Sequence, residues 1–385
     1  MDNGGKRSAL DGGQPIFSEV KPTSNLVKPD WDLLEYYTDL YLSRGHQHIV
    51  NTLEEQLAHF HNVRHCITFN SGFWALVQSI RIIANPTKSE VIIPSYTYRR
   101  LGALVAWSGK TPVFCDISKK TLALCPDSVR SQCSGKTSLI IGVHPVGSHV
   151  DIDGLMSISE EFTIPVFFDS VESVYELHRG VVLGGNGVLE LYSLGASKLI
   201  NGFEGGYITT NCSDIAKKMR NSLSERSSQF YLDVAIVGIN AAAALAGLQN
   251  VEVNINKNKA RFEAYRTGLE QVPGIRIKEQ EPSQKPSYKN IIVELLDDWP
   301  MSLEETIKIL NKEGILARKN CPPITDKEIS YTHRRSVLNN TAWASKRFVS
   351  MPCGYMTDIS DIEKIVKFLG EMAVRFSGFP SSQTL

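Results

Sequence analysis

The sequence predicts an α/β protein with three parts. Residues 1–23 form a flexible arm, residues 24–245 a large domain on a mostly parallel mixed sheet flanked by helices, and residues 246–385 a smaller C-terminal α/β domain. Three observations carry this. Short apolar runs alternate with helix-like or turn-rich segments through the first 245 residues, as in a sheet covered by helices. After about residue 246 the character changes to a long helical stretch and two S-x-x-E capping boxes. The length of 385 residues allows two domains, and 42% hydrophobic with 21% charged residues is an ordinary globular balance.

In chain order, the first fifteen residues are polar and glycine-rich, which reads as an arm. Leu53, Leu57 and Phe60 recur at i, i+4, i+7, so 51–62 reads as a surface helix. Cys66–Phe69 reads as a strand, and Asn70-Ser71-Gly72 opens a helix with Leu76, Val77, Ile80 and Ile83 on one stripe. Val91–Pro94, Pro112–Cys115, Ser138–Val143, Pro165–Phe168, Glu190–Ser193 and Gly206–Thr209 continue the strand series. A helix over 248–269 leads to strands at Ile275–Lys278 and Asn290–Leu295. Ser302–Glu305 caps one later helix, which Gly314 can end, and Ser360–Glu363 caps another.

Charge narrows the function classes. Lys+Arg and Asp+Glu both number 41, so no bulk positive field draws nucleic acid or acidic membranes. No apolar run approaches the roughly 20 residues of a membrane span. Seven scattered cysteines form no C-x-x-C pair, which points to reduced thiols and a cytoplasmic protein. His46, His48, His59, His61 and His65 look metal-like, but zinc needs three or four converging ligands and i, i+2 pairs on a helix diverge, so no metal is expected.

Ligands on parallel sheets bind beyond the carboxyl ends of the strands, and four such places stand out. Ser71-Gly72-Phe73-Trp74 opens a helix, where free N–H groups and the dipole favour an anion; it equally fits an ordinary serine N-cap. Asp169 follows an apolar strand, where a carboxylate is costly without a partner. A pyridinium nitrogen is one such partner, and a capped turn or a metal are others. Lys198 sits among small residues and glycines up to Gly206. A desolvated lysine there can lose its proton and attack an aldehyde, although a lysine after a strand is commonly a solvated one. Tyr98, after Pro94, can stack on a flat ring or cover the sheet edge.

Taken in order, these blocks resemble the DegT/DnrJ/StrS-type sugar aminotransferases, which have the aspartate-aminotransferase fold (fold type I) and use pyridoxal 5'-phosphate. Asn70–Leu76 resembles the family's phosphate turn, Glu90–Tyr98 its E-V-I-P block and Lys110–Ile117 its P-V-F-x-D-I block. Val143–Asp153, Phe168–Ser173, Tyr192–Gly206 and Ile315–Pro323 are similar to four further blocks, so the likeness runs over about 42–372. It implies that Lys198 forms the Schiff base (an internal aldimine) and shuttles protons, while Asp169 pairs with the pyridine nitrogen. Glu172 lies near the cofactor's ring oxygen. Ser193 and the backbone of Gly72, Phe73 and Trp74 hold the phosphate, Tyr98 covers the ring, and Asn240 is the remnant of a stretch that reaches the neighbour's site. Phe73 stands where the family carries a threonine.

The resemblance implies a homodimeric transaminase that moves an amino group from an amino acid, with glutamate as the expected donor, to a keto group of a sugar or sugar-like ring. Elimination or dehydration on the same fold, or a catalytically silent homologue acting as a binding partner, are the alternatives. The nearly uncharged stretch Val234–Leu248 suits either a dimer interface or a helix buried inside one subunit.

Overall fold

The computed structural model describes residues 9–23, 27–28, 30–281, 284–322, 330, 332 and 336–377. Two helices the sequence did not announce as a pair, α1 Trp31–Arg44 and α2 His46–Phe60, lead into the sheet. The apolar runs then become β1 His65–Phe69, β2 Glu90–Pro94, β3 Thr111–Cys115, β4 Thr137–Val143 and β5 Val166–Asp169. A short hairpin, β6 Leu177–His178 and β7 Val181–Val182, precedes β8 Glu190–Ser193 and β9 Gly206–Thr210.

Among the described residues the large sheet has the order β1-β9-β8-β5-β4-β2-β3. Pairings from β3 across to β8 are parallel, while β9 runs antiparallel to β8 and β1. Both faces are covered. Val91 and Ile93 of β2 pack with α3 Gly72–Ile83 and α4 Leu101–Trp107. Ile92, facing the other way, packs with α5 Pro126–Gln132 and α6 Ile152–Phe162. A strand buried on both faces needs a continuous apolar run, which is why Glu90–Pro94 does not alternate.

After α7 Ser213–Ser224, the helix expected over 248–269 is two helices: α8 Gly238–Gln249 and α9 Val251–Leu269, with Asn250 between them at φ −99° and ψ 6°. Helix α8 settles the open choice over 234–248: Ala241–Ala246 and Leu248 are buried within this chain, against α1 and α2. Its small side chains serve internal helix packing, so the stretch is not itself an argument for a dimer.

The second domain is an antiparallel sheet, β10 Ile275–Ile277, β11 Ile291–Leu295, β12 Arg318–Lys319 and β13 Phe348–Met351, in the order β10-β11-β13-β12. Helix α10 Leu303–Lys312 begins with the Ser302/Glu305 capping box, and Gly314 follows at φ 76°. The last helix, Ile359–Phe376, is capped two residues earlier than the sequence suggested, by Asp358 and Asp361. The domains do not part at residue 246. The first half of α9 buries Val251 and Ile255 with the large domain, and its second half buries Phe262, Tyr265 and Leu269 with the small one.

The arm is also corrected. Residues 1–8 lie outside the described residues, but 9–23 pack on the small domain instead of hanging free. Phe17 is buried in that domain's core, and its N–H donates to Glu313 O at 3.1 Å. Leu10 and Ile16 donate to the Glu313 carboxylate, and Lys21 bridges to Ile315. The polar composition of the first fifteen residues hid the anchoring role of Ile16 and Phe17.

Candidate active site

Strand register brings the predicted residues to one end of the sheet. Val143 of β4 pairs with Asp169 of β5, Asp169 with Leu191 of β8, and Ser193 of β8 with Gly206 of β9. Gly206 pairs in turn with Phe69 of β1, just before α3. This corner is tight. A Cβ on Gly206 would lie 2.5 Å from the backbone N and Cα of Gly72, and one on Gly72 would lie 3.1 Å from Ser193 Cβ. The first turn of α3 is thus pressed against Ser193 with no room for side chains between. Trp74 N–H is taken by Ser71 Oγ at 3.3 Å, which leaves the first-turn N–H groups of Gly72 and Phe73 as donors without an intrahelical acceptor. Ser193 Oγ accepts from Gly195 N–H at 3.3 Å.

Lys198 is held by its loop. Its N–H donates to Gly195 O at 2.8 Å, Leu199 and Ile200 are buried behind it, and Gly202 N–H closes the loop onto Leu194 O at 2.8 Å. Asn240 donates from Nδ2 to Gly202 O at 2.9 Å, so it steadies the lysine loop within its own chain. Lys198 Nζ lies 2.6 Å from Glu172 Oε1. Glu172 Oε2 in turn accepts from Asn290 Nδ2 at 3.0 Å and pairs with Lys289.

These charges shift one another. Burial pulls the Lys198 amine down, but Glu172 and then Asp169 outweigh it and the net shift is upward. Burial raises Glu172, yet the two lysines hold it far below the usual carboxylate range. Lys289 is pulled down to about 8, chiefly by burial and against the attraction of Glu172. Asp169 is buried and accepts from Val171 N–H at 3.2 Å; burial pushes it up to about 6.

Sequence reasoning missed four residues here. Lys289 and Asn290 come from the segment leading into β11, and only the docking of the two domains brings them to Glu172. His144 follows β4, donates its N–H to Asp169 O at 3.0 Å, and is buried with Nε2 lacking a partner among the described residues. Burial drives its pKa well below the ordinary value, so the ring is neutral. Its neighbour His149 bonds Glu176 at 2.7 Å. The histidines that looked metal-like are dispersed: His61 is a core residue bonded to Leu183 O and Tyr207, and His65 meets Ser213. Tyr98 is 54% exposed, whereas Tyr96 is buried between the domains. A cavity of about 690 Å³ opens away from this cluster, between Trp31 and Arg261.

The family model for DegT/DnrJ/EryC1/StrS aminotransferases matches residues 40–370. The chain belongs to this aminotransferase family. It is a pyridoxal-phosphate-dependent aminotransferase of fold type I. A dTDP-4-amino-4,6-dideoxy-D-glucose transaminase of Shigella dysenteriae is 26% identical over 335 residues, 83% of this chain and 89% of that protein. A GDP-perosamine synthase of Caulobacter vibrioides is 29% identical over 249 residues, 63% of this chain and 67% of that protein. The crystal structure of DesI in the presence of its TDP-sugar product superposes with a TM-score of 0.90 at 25% identity, covering 96% of this chain and 97% of that one.

The residues present fit the family's cofactor. The pressed corner at Gly72, Ser193 and Gly206 offers backbone N–H groups and a hydroxyl to a phosphate. Among the described residues the buried Asp169 carboxylate forms no direct ion pair, and the Lys198 charge only partly offsets its burial, which leaves room for a pyridinium partner. Lys198 supplies an amine in the same strand-end cluster.

Proposed function

We propose that this aminotransferase moves an amino group from an amino acid, with glutamate as donor, to a keto group on a sugar or sugar-like ring, and that Lys198 is the lysine that carries the cofactor. The observation that supports this most is the side-chain cluster at the strand ends: Lys198 paired to Glu172 at 2.6 Å, with the buried Asp169 carboxylate beside it. The sugar class rests on the relatives, whose names specify amino sugars. Bound pyridoxal phosphate supplies an electron sink. Asp169 would hold a proton on the pyridine nitrogen, Glu172 would sit by the ring oxygen, and Ser193 with the N–H groups of Gly72 and Phe73 would take the phosphate. Lys198, once its amine is free, would move the proton between the two carbons that exchange it.

The protein would work as a homodimer. Tyr98 after β2, Trp107 against Phe73, and Phe203 in the lysine loop all stand exposed next to the site residues, more large apolar surface than a site facing only water requires. Asn240, already bonded to Gly202, would shape the lysine loop and not reach across to the neighbour.

The test is direct. Borohydride reduction of the holoenzyme followed by peptide mass spectrometry is expected to find the pyridoxyl group on Lys198, and Lys198→Ala is expected to abolish the trapped adduct and turnover. A full yield of adduct on another lysine would refute the assignment. A screen of amino acids against the cofactor's absorbance, then of keto sugars by mass spectrometry, fixes donor and acceptor.

A further inference from the structure

Helix α9 carries two stripes. Its buried positions, Val251, Ile255, Asn258, Phe262, Tyr265 and Leu269, follow the alternating four-three spacing of a packing seam. Asn258 interrupts that seam, a carboxamide at 3% exposure among aliphatic and aromatic side chains. The second stripe begins at Asn250 and continues through Asn254, Lys257 and Arg261; with Asn258 it lines the cavity of about 690 Å³. Two exposed rings complete the lining, Trp31 from α1 and Tyr355 from the loop ahead of the last helix.

The α9 wall is rich in donors and short of acceptors. Arg261 donates from Nε to Thr357 O at 2.8 Å and from a terminal nitrogen to Asn258 Oδ1 at 3.3 Å, both uncharged acceptors. Among the described residues no carboxylate comes within ion-pair range of the guanidinium, and burial lowers its pKa although Cys353 and Asp358 act in the opposite sense. The Asn258 amide cannot be turned over, because Nδ2 would then meet the Arg261 donor. Its Nδ2 is thus a donor buried without an acceptor among the described residues, and Asn254 Nδ2 is a second. Interiors rarely leave such groups unmet, and a cation beside two idle donors suits an anion rich in oxygen.

Charge is not uniform along the cavity. Lys257 and Arg261 stand one helical turn apart at one end, next to Tyr355. Asp30 and Asp32 flank Trp31 at the other, where Asp30 accepts from Asn250 Nδ2 at 3.1 Å and Lys28 lies two residues before it. Three lining cations face two lining carboxylates, a net charge of +1, but the Lys257–Arg261 end by itself holds +2. At 1.5 Å of rise per residue, Asn250 and Arg261 lie about 16 Å apart.

We propose that this cavity binds an organic phosphate with a hydroxylated ring: the phosphate on Arg261, Lys257 and the Asn254 and Asn258 amides, and the ring against Trp31 with its hydroxyls toward Asp30 and Asp32. Carboxylates accept hydroxyl hydrogens, an exposed aromatic face takes a sugar or base ring, and a cavity of this size holds a sugar phosphate or a nucleoside diphosphate. The site shares no residue with the Asp169, Glu172, Ser193 and Lys198 cluster, and its occupant is bound whether or not Lys198 carries the cofactor.

Calorimetric titration of the holoenzyme at about 50 mM salt, where surface charges are little screened, uses uridine diphosphate, glucose 1-phosphate and inorganic phosphate as probes. At least one organic probe is expected to bind with a Kd below about 1 mM and at least about tenfold tighter than inorganic phosphate. The tighter of the two assigns the ring as a nucleoside or a hexose. Arg261→Gln is expected to weaken that probe at least about tenfold, and Lys257→Ala and Trp31→Ala about three- to tenfold each. Brief acetylation with acetic anhydride, read by peptide mass spectrometry, locates the ligand: the bound probe is expected to shield Lys257 and to leave Lys367, outside the cavity, labelled as before. Lys257 and Trp31 are exposed, so their variants decide even where Arg261→Gln does not fold. Each of four results overturns the proposal: no organic probe bound below about 1 mM, inorganic phosphate bound as tightly as the organic probes, binding indifferent to both Lys257→Ala and Trp31→Ala, or Lys257 unshielded by a saturating probe.

Discussion

Replacing Asp169 with Asn is expected to make the cofactor-free protein more stable at neutral pH while it cripples the enzyme. The carboxyl is 7% exposed at the end of β5, and its one backbone donor, Val171 N–H at 3.2 Å, does not offset burial. Its pKa stands at about 6 against an ordinary 3.8, which at about 1.4 kcal/mol per unit amounts to about 3 kcal/mol. The sign follows from proton binding. The folded state holds its proton more tightly than the unfolded state, so stability is full below about pH 4 and falls as pH rises to about 6. Above that the ionised carboxylate is a standing cost that Asn does not carry. Denaturant unfolding of both cofactor-free proteins at about pH 4 and pH 7.5 isolates this group, because the other titrations cancel in the difference. Asp169→Asn should be more stable by about 2–3 kcal/mol at the higher pH and close to wild type at the lower. Added pyridoxal phosphate should stabilise the wild type more than the variant, and turnover in the variant should fall by orders of magnitude. Parallel stability curves, or a variant less stable at pH 7.5, would refute the reasoning.

Three further outcomes follow from the same geometry. Gly206→Ala puts a methyl 2.5 Å from the backbone of Gly72, where no flexible side chain can give way, so cofactor affinity should drop at least about tenfold in a fluorescence titration, while Gly135→Ala, with nothing within 4 Å, should leave it unchanged. Ser193→Ala should weaken cofactor binding by about 1–3 kcal/mol, since Phe73 brings no hydroxyl to the phosphate turn; an unchanged dissociation constant would remove Ser193 from the phosphate site. Sedimentation at low micromolar concentration should give a dimer, and a fully active monomer on dilution would refute a shared interface.

Much of the site was readable because its residues follow local patterns. Asp169 and Ser193 end apolar runs, and Lys198 stands before a glycine-rich turn, so each announced a strand end without knowledge of its neighbours. The strands themselves were found because burial on both faces leaves unbroken apolar runs such as Val91-Ile92-Ile93. What stayed hidden depends on long-range contact. Lys289 meets Glu172 across 117 residues, and the local hint was a lysine two residues ahead of the buried run Ile291–Leu295. His144 was within a quoted motif, yet nothing in its spacing shows that its ring is buried against Phe168 and His149. Helix α8 misled for the opposite reason: an all-apolar helix looks the same whether a second subunit or its own α1 and α2 covers it. The arm erred because average polarity outweighed two apolar anchors, Ile16 and Phe17.

The anchoring of residues 9–23 has a consequence for how the molecule is made. Leu10 meets the Glu313 carboxylate across 303 residues of sequence, and Phe17 completes a core otherwise drawn from the second domain. At about 5–20 residues per second, roughly 15–60 s of synthesis separate the first of these partners from the last. During that interval Ile16 and Phe17 have nowhere to go, although the large sheet between them and their partner can already form. A reporter fused ahead of residue 9 would therefore sit against the last-made domain, and a proteolytic cut near residue 17 should leave the early-made sheet intact while loosening the late one.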